Sequence, residues 1–371
     1  MPFDPVKADP VGNPFREERV MAMLLQTTQP HSTLLLQMLE SDFSSSSTFA
    51  QEYHLAAGFW NEALLDPART FFRTPGKGFR ASLVNLGWHL AGREECAPPE
   101  LAIILEALHG GSLIVDDIED NSSWRRGKPA LHVTHGLPLA LNTGNWLYFW
   151  ALSLIQRLGL PGAVELKVSR AVSSTLLHCH SGQALDLSVR LTDLEQAEVL
   201  SVVSVISGLK TGRLMALAAS LGAIAAGGSK SLIESLTVYG QQVGVALQML
   251  DDLGNFGEQL DPIKRYEDLR NDRPSWVWAW LAEDLSCCYF NSLKKKAQAV
   301  VEPYEVQSLA DDICQALGAR GTQRSNNILD QSFRELCIKA GPHQGLDEAR
   351  QQLTQLRASF IGSTRVWSDH E

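Results

Sequence analysis

Val115-Asp116-Asp117-Ile118-Glu119-Asp120-Asn121-Ser122-Ser123-Trp124-Arg125-Arg126-Gly127 sets three carboxylates, Asp116, Asp117 and Asp120, just ahead of paired arginines, Arg125 and Arg126. An apolar run, Leu101 to Val115, leads into it. On a helix through this run, Asp116 and Asp120 lie one turn apart on one face, with Asp117 about 100° round. Carboxylates that close repel one another unless cations lie between them. Hard oxygen ligands in this arrangement suit Mg²⁺, which binds through one or two carboxylates together with substrate phosphates. The arginines Arg125 and Arg126 can fork onto phosphate oxygens. The chemistry legible here is a metal-bridged diphosphate, against the plainer alternative of a solvated acidic helix face followed by a basic turn.

A second stretch, Gln248-Met249-Leu250-Asp251-Asp252-Leu253-Gly254-Asn255, repeats the spacing, with Asn255 in the last place. Asn is a neutral oxygen donor, so a metal here depends more on the substrate. Two such faces, one carrying Asp116, Asp117 and Asp120 and the other Asp251, Asp252 and Asn255, can hold Mg²⁺ ions around one diphosphate.

Cations are spaced along the chain in the same sense. In Gly76-Lys77-Gly78-Phe79-Arg80, Lys77 and Arg80 share a face if a helix starts there. Two cations at a positive helix N-terminus are relieved by an anion between them. His109 lies about two turns before Asp116 on the same predicted helix. Alone it reads as a core histidine, but beside Lys77, Arg80 and Arg126 it reads as a phosphate hydrogen-bond donor. Gly182-Gln183-Ala184-Leu185-Asp186 and Ser207-Gly208-Leu209-Lys210-Thr211-Gly212 put polar groups inside apolar helices, where they need partners. Lys210 in particular is costly to bury without an anion. Lys264 and Arg273, after the second cluster, are placed to close over the same diphosphate. The plainer alternative for this stretch is a solvated charged loop, which is the preferred reading for Arg270.

The chain as a whole has 371 residues, 44% hydrophobic and 20% charged, with a net charge of −10. That is ample chain for a buried core, and its acidity argues against nucleic acid as a general partner. Six cysteines without metal-ligand spacing fit a reducing, cytoplasmic compartment. No apolar leader segment is visible at the start, and the apolar run Leu214 to Ala226 is too short to span a bilayer. Apolar residues recur at helical spacing over 99–120, 138–158, 163–190, 193–226, 229–260, 275–299 and 303–317, with one or two helices beyond and a first one over Met21–Leu39. No Asn-Gly hairpin or run of short strands is seen. The expected class is all-α, one large bundle of long helices around a central cavity over residues 51–365, preceded by a poorly ordered or helical arm over 1–50. The Ser44–Ser47 run reads as a linker.

With both acidic clusters, the Gly-Lys-Gly-Phe-Arg turn and Lys210-Thr211-Gly212 in this order, the chain resembles the trans-isoprenyl diphosphate synthases, or polyprenyl synthetases, from about residue 70 to 290. Asp-Asp-Ile-Glu-Asp-Asn-Ser followed by Arg-Arg-Gly, with a second motif ending in Asn255, is most similar to geranylgeranyl diphosphate synthases of the animal and fungal kind. The resemblance implies that Asp116, Asp117 and Asp120 bind Mg²⁺ on an allylic diphosphate, and that Asp251, Asp252 and Asn255 form the second metal motif. It puts Lys77, Arg80, His109 and Arg126 in an isopentenyl diphosphate pocket. Arg125, Lys210 and Lys264 are implied on the allylic diphosphate, with Arg273 where relatives often carry Lys. Asp186, Thr211 and Gln248 are implied at the reaction centre. It also implies a homodimer.

The reaction so implied is ionisation of the allylic diphosphate, attack by the isopentenyl alkene and loss of a proton, with no side-chain nucleophile. Product length then follows the cavity floor. Gly111 and Ser112, about one turn deeper than Asp116, leave room, and Tyr148, Phe149 and His180 match the floor of fungal-type relatives. This favours a C20 product. A terpene cyclase of the same fold would lack the four residues of the isopentenyl pocket, and a non-catalytic regulatory subunit would show an eroded aspartate motif.

Overall fold

The computed structural model describes residues 31–43, 57–74, 78–257, 265–299, 303–343, 345–360, 364 and 367. Lys77, Lys264, the Ser44–Ser47 run and the first part of the Met21–Leu39 helix lie outside these residues. The chain forms two compact units, Met1–Lys77 and Gly78–Glu371. The first contains α1 (His31–Asp42), α2 (Ala57–Trp60), a π turn over Asn61–Leu65 and α3 (Asp66–Phe72). Within it, Arg69 pairs with Glu40 at 2.9 Å, and Phe43 packs on Trp60 with ring centroids 5.7 Å apart.

The second unit begins with α4 (Phe79–Leu90), α5 (Pro99–Glu119), the short α6 (Leu131–His135), α7 (Leu137–Arg157) and α8 (Gly162–Ser188). It continues through α9 (Gln196–Ser207), a π turn over Gly208–Gly212, α10 (Arg213–Ala225) and α11 (Lys230–Gly254). After them come α12 (Glu267–Arg270), α13 (Trp276–Asp284), α14 (Cys287–Ala299), α15 (Pro303–Leu317), α16 (Arg320–Ala340) and α17 (Gly345–Ala358). The class is all-α, as the apolar periodicity predicts.

At the centre is α10, buried at every position from Leu214 to Ala225. It is flanked at short range because the facing residues are small. A Cβ on Gly222 would lie 2.0 Å from the carbonyl oxygen of Val84 in α4, so only glycine allows that crossing. Continuous helix from Gln196 to Ala225 is long and apolar enough to cross a membrane by composition, yet 61% of its most apolar window is buried inside this unit. A core helix accounts for it.

Two departures from the predicted helices have local causes. The 193–226 helix carries the π turn at Gly208–Gly212, where the amide of Arg213 donates to the carbonyl of Gly208. The 275–299 helix is interrupted at Leu285–Ser286, with Leu285 extended at φ −102°, ψ 151°. Neither break carries a glycine–proline signal that periodicity would register.

The strand content among the described residues is a two-residue ribbon, β1 (Trp124–Arg125) paired antiparallel with β2 (Lys128–Pro129). Its turn has φ of 52° at Arg126 and 73° at Gly127, the left-handed pair that a tight hairpin turn requires.

Candidate functional site

The first acidic cluster sits where α5 stops. Asp120 caps the helix and Asn121 takes the left-handed conformation at φ 51°. The amide of Ser122 then donates to the carbonyl of Asp117 at 2.8 Å, and that of Asn121 to Ile118 at 3.2 Å. These paired bonds satisfy the carbonyls that a helix end leaves open and fix the last turn. The tight hairpin follows and sends the two arginines different ways.

Arg125 turns back to Asp117, donating from Nε at 2.9 Å and from Nη2 at 2.6 Å. Asp117 is buried at 1% exposure. Both its oxygens are held by one guanidinium, that of Arg125. Asp116, one residue earlier, accepts from Lys210 Nζ at 3.0 Å, from Gln183 Nε2 at 2.9 Å and from Arg125 Nη2 at 3.3 Å. Asp120 pairs with Arg273.

Lys210 is presented by the π turn between α9 and α10. The turn nests between α8 and α11 because a Cβ on Gly182 would meet the amide nitrogen of Lys210 at 2.7 Å, and one on Gly244 would meet Cα of Gly212 at 2.7 Å. Lys210 Nζ reaches Asp186 on α8 at 2.8 Å as well as Asp116 on α5. Arg273 also spans to Asp186, at 3.3 Å from its carboxylate. Three cations thus interleave four carboxylates, as mutual repulsion demands.

The second cluster is tied in through a chain of hydrogen bonds. Thr211 Oγ1 donates to Gln248 Oε1 at 2.7 Å, and Gln248 Nε2 donates to Asp252 Oδ1 at 2.8 Å. The amide of Trp276, an open donor at the start of α13, gives to Asp252 Oδ2 at 2.7 Å. Asp252 is buried, with both oxygens engaged by these two donors. Asp251 is exposed. Asn255 Oδ1 is buried without a hydrogen-bond partner, an orphan acceptor at the mouth of the same site.

Charge in this space follows the pairing. Burial works to raise the carboxyl of Asp116, but Lys210 and Arg125 outweigh it and hold it below the ordinary range. Asp120, by contrast, is pushed up to about 6 by burial and by the nearby Asp116 carboxylate. Asp252 is raised by burial and by Asp268. Asp268 itself is pushed up to about 7 by burial and by Asp251, Asp186 and Glu267. Excess negative potential of this kind is what a divalent cation relieves.

The donors fit Mg²⁺. Asp116, Asp120 and Asp251 are hard oxygen donors, and the orphan oxygen of Asn255 is a fourth. Among the described residues no group of three His, Cys, Asp or Glu side chains is gathered closely enough to hold a metal by itself.

A separate cation pocket lies on the other side of the hairpin. Arg80, on the first turn of α4, has a buried Nε with no hydrogen-bond partner. His109 is half-buried, and burial followed by Arg80 and Arg126 drives its imidazole well below its usual range, keeping it neutral. Burial likewise lowers Arg80 and Arg126, with Glu106 opposing the effect in both. Two arginines and a neutral histidine beside one glutamate make a site for a second anion.

The expected floor divides. A Cβ on Gly111 would lie 2.7 Å from the carbonyl of Gly144 and 3.1 Å from Tyr148 Cε1. Its smallness is therefore required by the crossing of α5 on α7. Tyr148 is buried and meets His180 edge to face at 5.2 Å. His180 is held by a bond from Nδ1 to the carbonyl of Leu176 at 2.9 Å. Ser112 is half-buried, donating to the carbonyl of His109 at 2.8 Å. Phe149, one residue past Tyr148 and about 100° round the helix, is 70% exposed and does not join the other two within this chain.

Two residues that the sequence left aside enter the site. Gln183 Nε2 bridges Asp116 and Glu119, each at 2.9 Å. Asp268, given no role of its own from the sequence, lies within electrostatic range of Asp251 and Asp252 of the second motif and of Asp186. Its signal was the Glu-Asp pair opening α12 just before Arg273.

A family model described as polyprenyl synthetase matches residues 61–301. The geranylgeranyl pyrophosphate synthase of Eremothecium gossypii is 32% identical over 196 residues, 52% of this chain and 61% of that protein. That of Dictyostelium discoideum is 31% identical over 196 residues, again 52% of this chain and 60% of its own length. The chain therefore spans about three fifths of the length of these relatives. A geranylgeranyl pyrophosphate synthase of Penicillium canescens is 29% identical over 282 residues, 72% of this chain and 80% of that protein. In structure, the chain is similar to the geranylgeranyl pyrophosphate synthetase of Pyrococcus horikoshii, with TM-score 0.70, 19% identity, and coverage of 93% and 99% of the two chains. It is equally similar to a heptaprenyl diphosphate synthase of Staphylococcus aureus, with TM-score 0.70, 19% identity, and coverage of 89% and 97%.

Proposed function

Because this chain belongs to the polyprenyl synthetase family, we propose that it is a trans-prenyltransferase that condenses isopentenyl diphosphate with an allylic diphosphate to give geranylgeranyl diphosphate. The observation that carries this reading is the presence of two anion sites of different design. One is lined by Asp116, Asp120, Asp251, Lys210 and Arg273, and suits a metal-bound diphosphate. The other is lined by Arg80, His109 and Arg126, and suits a diphosphate without metal. Lys77 is proposed to bind isopentenyl diphosphate and Lys264 the allylic diphosphate, on the motif resemblance alone.

Bound Mg²⁺ would supply electrostatic stabilisation of the departing diphosphate, held by Asp116, Asp120, Asp251 and Asn255. The chain's own residues do the rest. Asp117 holds Arg125 and Asp186 holds Lys210, so both cations are aimed before substrate arrives and need no reorganisation as charge develops. Arg80 and Arg126 fix the second diphosphate, setting its alkene beside the allylic carbon. His109, kept neutral, donates to the same anion without adding repulsion. Tyr148 and His180 close the apolar end and limit the growing chain to C20.

A homodimer is proposed, supported by the apolar side chains Phe149 and Leu177, each 70% exposed on α7 and α8. A cytoplasmic setting is proposed on the six free cysteines. A terpene cyclase of the same fold is disfavoured by Arg80, His109 and Arg126, which it would not need.

The test is an assay with labelled isopentenyl diphosphate and dimethylallyl, geranyl or farnesyl diphosphate, with and without Mg²⁺, followed by chain-length analysis. A C20 diphosphate that disappears with a chelator supports the reading. A hydrocarbon formed without consumption of isopentenyl diphosphate would replace it with the cyclase.

A further inference from the structure

Trp367, close to the C-terminus, is fully buried in the second unit, among its largest enclosed side chains. It lies directly beneath the second acidic cluster. Its indole Nε1 donates to the carbonyl of Leu253 at 3.0 Å. Its ring packs on Phe256 with centroids 4.8 Å apart. Phe256 in turn meets Tyr266 edge to face at 5.5 Å, and the amide of Tyr266 donates to the carbonyl of Asn255 at 2.9 Å.

These contacts all fall on the last turn of α11 and the residues just past it. A helix end leaves its final carbonyls without intrahelical partners, and it frays unless something takes them. Here Leu253 stands between Asp251–Asp252 and Asn255, and its carbonyl, which already accepts from the amide of Phe256 at 3.2 Å, is held a second time by the indole. Phe256 is gripped between Tyr266 and Trp367. The opening of α16 closes the other side, since a Cβ on Gly321 would lie 3.0 Å from Leu253 Cδ2.

We propose that Trp367 is a positioning residue for the second metal motif. It pins the C-terminal turn of α11 so that Asp251 and Asn255 keep the geometry in which they share Mg²⁺ with a bound diphosphate. The proposal rests on the prenyltransferase reading for the ligand, and on the packing alone for the anchoring.

The test compares Trp367→Phe, which keeps a ring but removes the N–H donor, with Leu329→Ala, a cavity variant elsewhere in the core where Leu329 is fully buried. Two quantities are measured. One is the Mg²⁺ concentration that half-saturates binding of inorganic diphosphate, by calorimetry. The other is amide hydrogen exchange over residues 255–257. For Trp367→Phe the half-saturating Mg²⁺ rises about three- to tenfold, less than the ~10–100-fold typical of partners bonded directly to ligands, and exchange at 255–257 speeds up. Leu329→Ala lowers thermal stability and moves neither. Unchanged Mg²⁺ dependence and exchange in Trp367→Phe would overturn the proposal. A wild-type protein that consumes no isopentenyl diphosphate would overturn the functional reading instead, and hydrogen exchange would still decide the anchoring.

Discussion

Lys210 Nζ lies 3.0 Å from Asp116 and 2.8 Å from Asp186, joining the C-terminal ends of two helices, α5 and α8. Burial works against its charge, and the two carboxylates more than restore it, so its ammonium is held above its ordinary range. Replacing it with alanine removes the one cation that bridges them, leaving Asp116 to Arg125 and Asp186 to Arg273. Lys210→Ala should lower kcat for prenyl transfer by about 10²–10³-fold, the usual effect of removing one aimed donor from a site of developing charge. Steady-state kinetics at saturating Mg²⁺ measures it.

Asp116 and Asp117 are neighbours with opposite duties, and their variants should separate. Asp117→Asn gives up the charge that holds Arg125 on a fully buried partner, at a cost of about 1–3 kcal/mol in stability. Its thermal midpoint should fall. Asp116→Asn faces the ligand space and should change the midpoint less, while abolishing Mg²⁺-dependent binding of inorganic diphosphate. Paired thermal melts and calorimetry decide it.

Three carboxyls with raised pKa, Asp120, Asp252 and Asp268, give the metal-free protein a distinctive pH response. Asp120 titrates at about 6 and Asp268 at about 7 in the folded chain, against about 3.9 when unfolded. Folding therefore takes up protons between these values. The stability they contribute is complete below about pH 4 and is lost as the pH rises through 6 to 7. Asp116, held low, acts in the opposite sense but only at more acid pH. The midpoint of the metal-free protein should be higher at pH 5.5 than at pH 7.5. Mg²⁺ with inorganic diphosphate should flatten the trend, and Asp268→Asn should remove much of it.

The crossing of α5 and α7 yields a paired prediction about the cavity. Gly111→Ala pushes a methyl group into the Gly144 carbonyl and should destabilise by about 1–3 kcal/mol. Tyr148→Ala opens space beside His180 and should lengthen the product beyond C20, read by chromatography of the dephosphorylated prenyl alcohols. Phe149→Ala, on the exposed flank, should leave chain length unchanged in the monomer.

Much of this architecture was legible because long helices repeat their apolar face many times. The helix over 99–120 is observed at Pro99–Glu119, and that over 138–158 at Leu137–Arg157. Features confined to two to five residues were not legible. The hairpin at Arg126–Gly127 escaped because an arginine stands where asparagine usually marks such a turn, and the π turn at Gly208–Gly212 escaped because α10 beyond it is buried on every side, so no apolar stripe shows the change of phase. The site divides the same way. Which residues are charged is plain from the sequence, but that Asp117 and Asp252 have both oxygens committed inside the protein depends on where Arg125 and Trp276 fall in space. Gln183 is marked by the sequence as a polar group in need of a partner, but which two carboxylates it bridges is set only by how α8 meets α5.

The π turn has a consequence for how this chain can change. Five residues occupy an arc that an ordinary helix fills with fewer, so the rod from Gln196 to Ala225 passes through it out of phase by about one residue, or 100°. That offset lets a single continuous rod face ligand with Lys210 and Thr211 and then bury its whole circumference a turn later. Deleting one residue between Gly208 and Gly212 would mend the ladder of backbone bonds and rotate one half of the rod against the other. The edit that most improves the helix as a helix would turn its cation away from the two carboxylates that need it.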